Sequence, residues 1–122
     1  MRKILMVDDV STNIKCAEEV LKGKYELINA RSGQTALEIL EETEPDLIIL
    51  DVNMPDMDGY ELIKIIKDKK EYANIPVIFL TAENDEESEK KGLKLGATDY
   101  ISKPFGPKIL LGRIDSILGS SY

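Results

Sequence analysis

Five short apolar runs constrain this chain more than any other feature. They are Ile4-Leu5-Met6-Val7, Tyr25-Glu26-Leu27-Ile28, Leu47-Ile48-Ile49-Leu50, Val77-Ile78-Phe79-Leu80 and the brief Tyr100-Ile101. They are unbroken rather than alternating, which predicts strands covered on both faces and therefore a parallel sheet. The stretches between them repeat apolar residues at helical spacing. Ile14, Ala17, Val20 and Leu21 share one face, with Ser11 or Thr12 as the expected cap. Ala36, Leu37 and Leu40 follow Ser32, and Leu62, Ile63 and Ile66 follow Asp58 and Glu61, a pair at capping-box spacing. Asn84 and Glu87 repeat that spacing before a very polar helix over roughly 85–94, which has almost no apolar face. Leu110, Ile114, Ile117 and Leu118 make the last stripe, opening near Pro107, a residue suited to a first helical turn.

The resulting order is strand then helix, five times over. Such units imply right-handed crossovers with helices on both faces of the sheet. Five units fit an α/β fold with a five-stranded parallel sheet in the order 2-1-3-4-5, doubly wound and flavodoxin-like; a barrel would need eight. The 122 residues read as a single domain, 1–122, with no linker or repeat and no room for an output domain. Apolar residues make up 43% of the chain, enough for a core without disulfides. Sixteen Lys and Arg against 23 Asp and Glu give a net charge of −7. That balance disfavours nucleic acid and bare anionic membrane as partners. There is no His, which removes His-based acid–base catalysis, Ser-His-Asp triads and a phosphohistidine on this chain. The single Cys, Cys16, excludes an internal disulfide and is expected to fill core space on the first helix. No apolar stretch has the length of a membrane span, and the apolar run in MRKILMVDD is too short for a signal peptide. A cytoplasmic protein is expected.

Charges and hydroxyls fall at the ends of the predicted strands. Asp8 and Asp9 follow the first, Asp51 the third and Thr81 the fourth, while Lys103 lies two residues beyond Ile101. In a parallel sheet these positions share the carboxyl edge, where the reversal of strand order opens a crevice. Three converging carboxylates repel unless a cation joins them, and Mg2+ suits a few carboxylates plus water. A dication and Lys103 together form an anion site, with Thr81 as hydroxyl donor. Asp51 is then placed as a nucleophile able to form an aspartyl-phosphate.

The sequence resembles the receiver domains of two-component response regulators over its whole length. The acidic pair in VDD, the segment LIILDVNMPDMDGYEL, the Thr-Ala of FLTA and the Lys-Pro of DYISKPF carry the resemblance. It implies that Asp51 accepts a phosphoryl group from a histidine kinase or histidine phosphotransfer protein. It implies Mg2+ held by Asp8, Asp9, Asp51 and the carbonyl of Asn53. Lys103 and Thr81 would contact the phosphoryl oxygens, helped by the backbone N–H groups of Asn53 and Ala82. Tyr100 would be the switch aromatic, and the Lys103–Pro104 bond would be cis. The output would pass to a downstream protein or a fused output domain, with room for a homodimer through the face of the fourth helix, fifth strand and fifth helix.

Several residues have plainer expected roles. Asp46, Asp56 and Asp58 read as loop or capping residues, and the acidic run 83–89 as a solvated face. Tyr100 fits a half-buried structural tyrosine nearly as well as a switch. Leu111 falls off the last stripe and is expected at the surface, open to a partner. Asn53 and Glu83 flank the pocket, where they would tune access of water. Replacing Lys103 is expected to leave folding largely intact. The function is then a phosphorylation-dependent signalling module, not an enzyme beyond its own phosphorylation and slow dephosphorylation. The alternatives are a Mg2+-dependent small-molecule phosphohydrolase, which lacks a cap and a spare general acid here, and a pseudo-receiver that takes no phosphate.

Overall fold

Each central strand sends alternate side chains into two different cores. The computed structural model describes residues 1–54, 57–81, 86–103 and 105–119, without the side chains of Glu86 and Ser88. Its strands are β1 (Lys3–Val7), β2 (Glu26–Ala30), β3 (Leu47–Asp51), β4 (Val77–Thr81) and β5 (Asp99–Ser102). They alternate with α1 (Ser11–Leu21), α2 (Gly33–Glu42), α3 (Gly59–Lys67), α4 (Glu86–Lys94) and α5 (Pro107–Leu118). All pairings are parallel and the order is β2-β1-β3-β4-β5, as the sequence predicts. Leu5, Val7, Ile48, Leu50, Val77 and Phe79 meet the apolar stripes of α2 and α3 on one face. Ile4, Met6, Leu47, Ile49, Ile78 and Leu80 meet α1 and α5 on the other. A strand covered on both faces has no polar positions to spare, which is why the runs in β1, β3 and β4 are continuous.

The edges depart from the sequence reading. β2 has one neighbour in the sheet, and its residues are half-covered or exposed apart from buried Ala30. Tyr25 precedes the strand rather than starting it; it is buried and donates its hydroxyl proton to Asp115 Oδ1 on α5 at 2.6 Å. α1 is not capped by Ser11 or Thr12. Both lie inside the helix, Val10 is the N-cap residue, and the Val10 N–H donates to Asp8 Oδ1 at 2.9 Å. Cys16 is exposed, not core filler. The buried stripe of α1 runs through Ile14, Ala17 and Leu21, and a residue one place before Ala17 is turned about 100° away from it. Leu111 is half-buried rather than exposed: it packs against the α1/α5 core, and Ile109 is the exposed apolar side chain of α5.

The Asp58 cap forms as expected, and Ser32 caps α2. Ser32 Oγ accepts from the Thr35 N–H, and Asp58 Oδ1 accepts from the Glu61 N–H. Asp46 is structural, accepting the Lys3 N–H at 2.7 Å. The expectations for Asp56, Ala82, Glu83, the Asn84 cap and the Lys103–Pro104 bond lie outside the described residues.

Candidate phosphoryl-acceptor site

The carboxyl ends of β1, β3, β4 and β5 bring the predicted residues together. Asp51 is the last residue of β3, and Thr81 ends β4 opposite Ser102 of β5. The Lys103 N–H donates to the Thr81 carbonyl at 2.7 Å, which fixes where the lysine leaves the sheet. Its ammonium donates to Asp51 Oδ1 at 2.7 Å and lies 3.6 Å from Asp8 Oδ2. Asp8, Asp51 and Thr81 are fully or almost fully buried, and Asp9 is half-buried. Oxygens of Asp8, Asp9 and Asp51 all lie within 4.8 Å of one another.

One ammonium cannot balance three carboxylates in so small a space. The Asp51 carboxyl is pushed up from 3.8 to about 6. Burial is the main cause; the hydrogen bond from Lys103 opposes it and the Asp8 charge adds to it. Asp9 Oδ1 and Asp51 Oδ2 are buried with no hydrogen-bond partner. Buried polar oxygens are normally satisfied. Two orphaned carboxylate oxygens beside a third carboxylate are hard donors suited to Mg2+. The residues therefore fit the dication expected from the sequence.

Several contacts of the site were not legible in the sequence. Asn13 Nδ2 donates to Asp8 Oδ2 at 3.1 Å, so the first turn of α1 holds the acid that starts it. Arg31, just past β2, donates to the Asp9 carbonyl at 3.0 Å. The Asn53 N–H points back to Asp51 Oδ1 at 3.1 Å. Tyr100 is half-buried, packed in the same core as Phe79, its register partner on β4.

Gly59 supports the backbone of the acceptor. Its N–H donates to the Val52 carbonyl, and a Cβ here would sit 2.7 Å from the Asp51 carbonyl oxygen and 3.0 Å from Val52 Cα. Gly59→Ala is expected to lower stability by about 1–3 kcal/mol, the usual range for overpacking. A urea midpoint unchanged from the parent would show that α3 can retreat freely.

The response regulator receiver domain family matches residues 4–115. The chain belongs to that family. This receiver is 44% identical over 115 residues to a probable cyclic di-GMP phosphodiesterase of Vibrio cholerae, covering 94% of this chain and 26% of that protein. It is 39% identical over 121 residues to the alkaline phosphatase synthesis transcriptional regulatory protein PhoP of Bacillus subtilis, covering 98% of this chain and 50% of that protein. The receiver thus spans half or less of these curated relatives. The solved structure of the Vibrio cholerae chemotaxis protein CheY4 matches with a TM-score of 0.91 at 35% identity, covering 96% of this chain and 98% of that one. Receiver domains are phosphorylation-dependent signalling modules of two-component systems, which does not favour the small-molecule phosphohydrolase. They generally bind Mg2+ at an acidic pocket, and they work with histidine kinases and with fused or downstream outputs. Among the described residues, no helix is long and apolar enough to cross a membrane.

Proposed function

We propose that Asp51 accepts a phosphoryl group from a phosphohistidine on a histidine kinase or phosphotransfer protein, and that the aspartyl-phosphate changes what this receiver binds. The observation that carries this reading is the state of the Asp51 carboxylate. One oxygen is held by Lys103 at 2.7 Å, and the other is buried without a partner among acids. In the transfer, an Asp51 oxygen attacks phosphorus and the P–N bond of the donor breaks, its electron pair returning to the imidazole. Lys103 follows the phosphoryl oxygens, the Thr81 hydroxyl donates to one of them, and the N–H groups of Asn53 and Ala82 donate to others. Asp8, Asp9, Asp51 and the Asn53 carbonyl would hold Mg2+, which when bound neutralises phosphoryl charge.

The product carries about −1.5 to −2 charge at one point. Thr81 is drawn to it, and Tyr100 turns into the space left behind, shifting the population of the α4–β5–α5 face between two packings. In the cell, this reading places the receiver in the cytoplasm, acting on a downstream protein or fused output domain, with a homodimer through that same face as one output.

Incubation with acetyl phosphate and Mg2+ tests the reading by intact-protein mass spectrometry. One phosphoryl group per chain is expected, absent in Asp51→Asn and absent when EDTA replaces Mg2+. Labelling that persists in Asp51→Asn would overturn the assignment, as would sustained turnover of phosphomonoesters.

A further inference from the structure

Helix α4 is very polar, yet one contact seats it on the sheet and another ties it to α3. Gly92 is buried against Phe79, so closely that a Cβ would lie 2.7 Å from the ring. On the preceding residue, the Lys91 ammonium stands 4.2 Å from the ring centroid of Tyr60 on α3. Tyr60 in turn meets Phe79 edge-on, at 5.4 Å between centroids and 71° between planes. Tyr60 directly follows Gly59, the residue pressed against the Asp51 carbonyl. Phe79 lies two residues before Thr81, on the same side of β4, and beside Tyr100 of β5. A short packed chain therefore runs from the backbone of the acceptor through Gly59 and Tyr60 to Lys91.

We infer that Lys91 and Tyr60 form a cation–π clamp that holds α4 against α3, and that releasing it makes Asp51 easier to phosphorylate. The inference rests on the proposed role of Asp51. A cation near a ring face is attracted by the ring quadrupole, and the attraction is lost when the side chain is neutral. A contact present in only one of two packings biases the equilibrium towards it. The clamp belongs to the arrangement described here, so it opposes any packing in which α4 moves away from α3. Lys91 and Tyr60 are positioning residues: they act through the packing of α4 and α3.

The test uses Lys91→Gln, with Lys90→Gln as the control of equal charge on the neighbouring exposed lysine and Lys91→Arg as the conservative rescue. Two readouts are taken: amide hydrogen exchange of residues 89–95 without phosphodonor, and the rate of labelling by acetyl phosphate with Mg2+. Lys91→Gln is expected to exchange about two- to fivefold faster in α4 and to label faster by a similar factor, the range a surface cation–π contact supplies. Lys90→Gln and Lys91→Arg should behave as the parent. In a Tyr60→Leu background, the effect of Lys91→Gln should vanish. Unchanged exchange and labelling in Lys91→Gln would overturn the clamp, and so would an equal effect from Lys90→Gln. Faster exchange with unchanged or slower labelling would leave the contact merely structural and sink the inference. A parent protein that fails to label at all would instead remove the role of Asp51, while the exchange readout would still judge the contact itself.

Discussion

Lys103→Ala is expected to remove about 3–5 kcal/mol of stability from the metal-free protein at neutral pH, the range for stripping a partner from a buried charge pair. The sequence alone predicts the opposite, that folding is largely intact. Geometry reverses it. The ammonium is only 17% exposed, it hydrogen-bonds Asp51 at 2.7 Å, and it lies 3.6 Å from Asp8. Without it, Asp8 and Asp51 face each other in a buried edge with Asp9 beside them. Proton uptake by Asp51, already raised to about 6, limits the loss, so the deficit should shrink as pH is lowered. Mg2+ should also shrink it, because a ligand that binds only the folded state at about 100 times its dissociation constant contributes about 2.7 kcal/mol. Urea unfolding in EDTA and in Mg2+ measures both effects. A variant as stable as the parent in EDTA would show that Lys103 is a solvated side chain and that the acids are tolerated by some other means.

The difference between those two expectations shows what a sequence can carry. The positions of Asp8, Asp9, Asp51, Thr81 and Lys103 were legible because strand ends are legible: a continuous apolar run stops where the first polar residue stands. The order of the sheet followed from the repetition of strand and helix. Distances between side chains were not legible, so Lys103 could not be told from a solvated lysine that reaches in only when phosphate arrives. The role of Asp8 at the start of α1 was hidden for a similar reason. Ser11 and Thr12 are good caps by residue type, but the helix already starts at Ser11, with Val10 as the N-cap residue and its N–H held by Asp8. Cys16 misled because helical phase, not apolar character, decides burial, and Leu111 because a residue just off the buried stripe can still pack against its margin. Leu111 sits at the margin of the face that Leu110 and Ile114 bury, close enough to pack against it, and Ile109 is the residue turned outward. Gly59 and Gly92 carry no signal of their own, since a glycine that admits a close neighbour reads like any other glycine until the neighbour is known.

Asp51→Asn should make the metal-free protein more stable than the parent, and the gain should depend on pH. The folded-state value of about 6 lies above the unfolded 3.8, so between these values the folded state binds more protons than the unfolded one. Stability contributed by the neutral carboxyl is therefore present below about pH 4 and lost as pH rises through 6. At about 1.4 kcal/mol per unit, the full difference is about 3 kcal/mol. Asparagine keeps the shape and cannot ionise. Its advantage over the parent should accordingly be near zero around pH 4, open across the window and level off above about pH 7. The hydrogen bond from Lys103 is already included in the raised value, so its loss does not cancel the gain. Mg2+ should then narrow the gap, since it stabilises the aspartate form by joining anionic oxygens that a neutral amide does not offer. Thermal unfolding at several pH values, with EDTA and with Mg2+, reads both trends. Equal melting temperatures for the two proteins in EDTA at about pH 8, well above the titration window, would mean that Asp51 ionises at no penalty. Burial of the carboxylate beside Asp8 would then not be what prepares the site for a dication and a phosphoryl group.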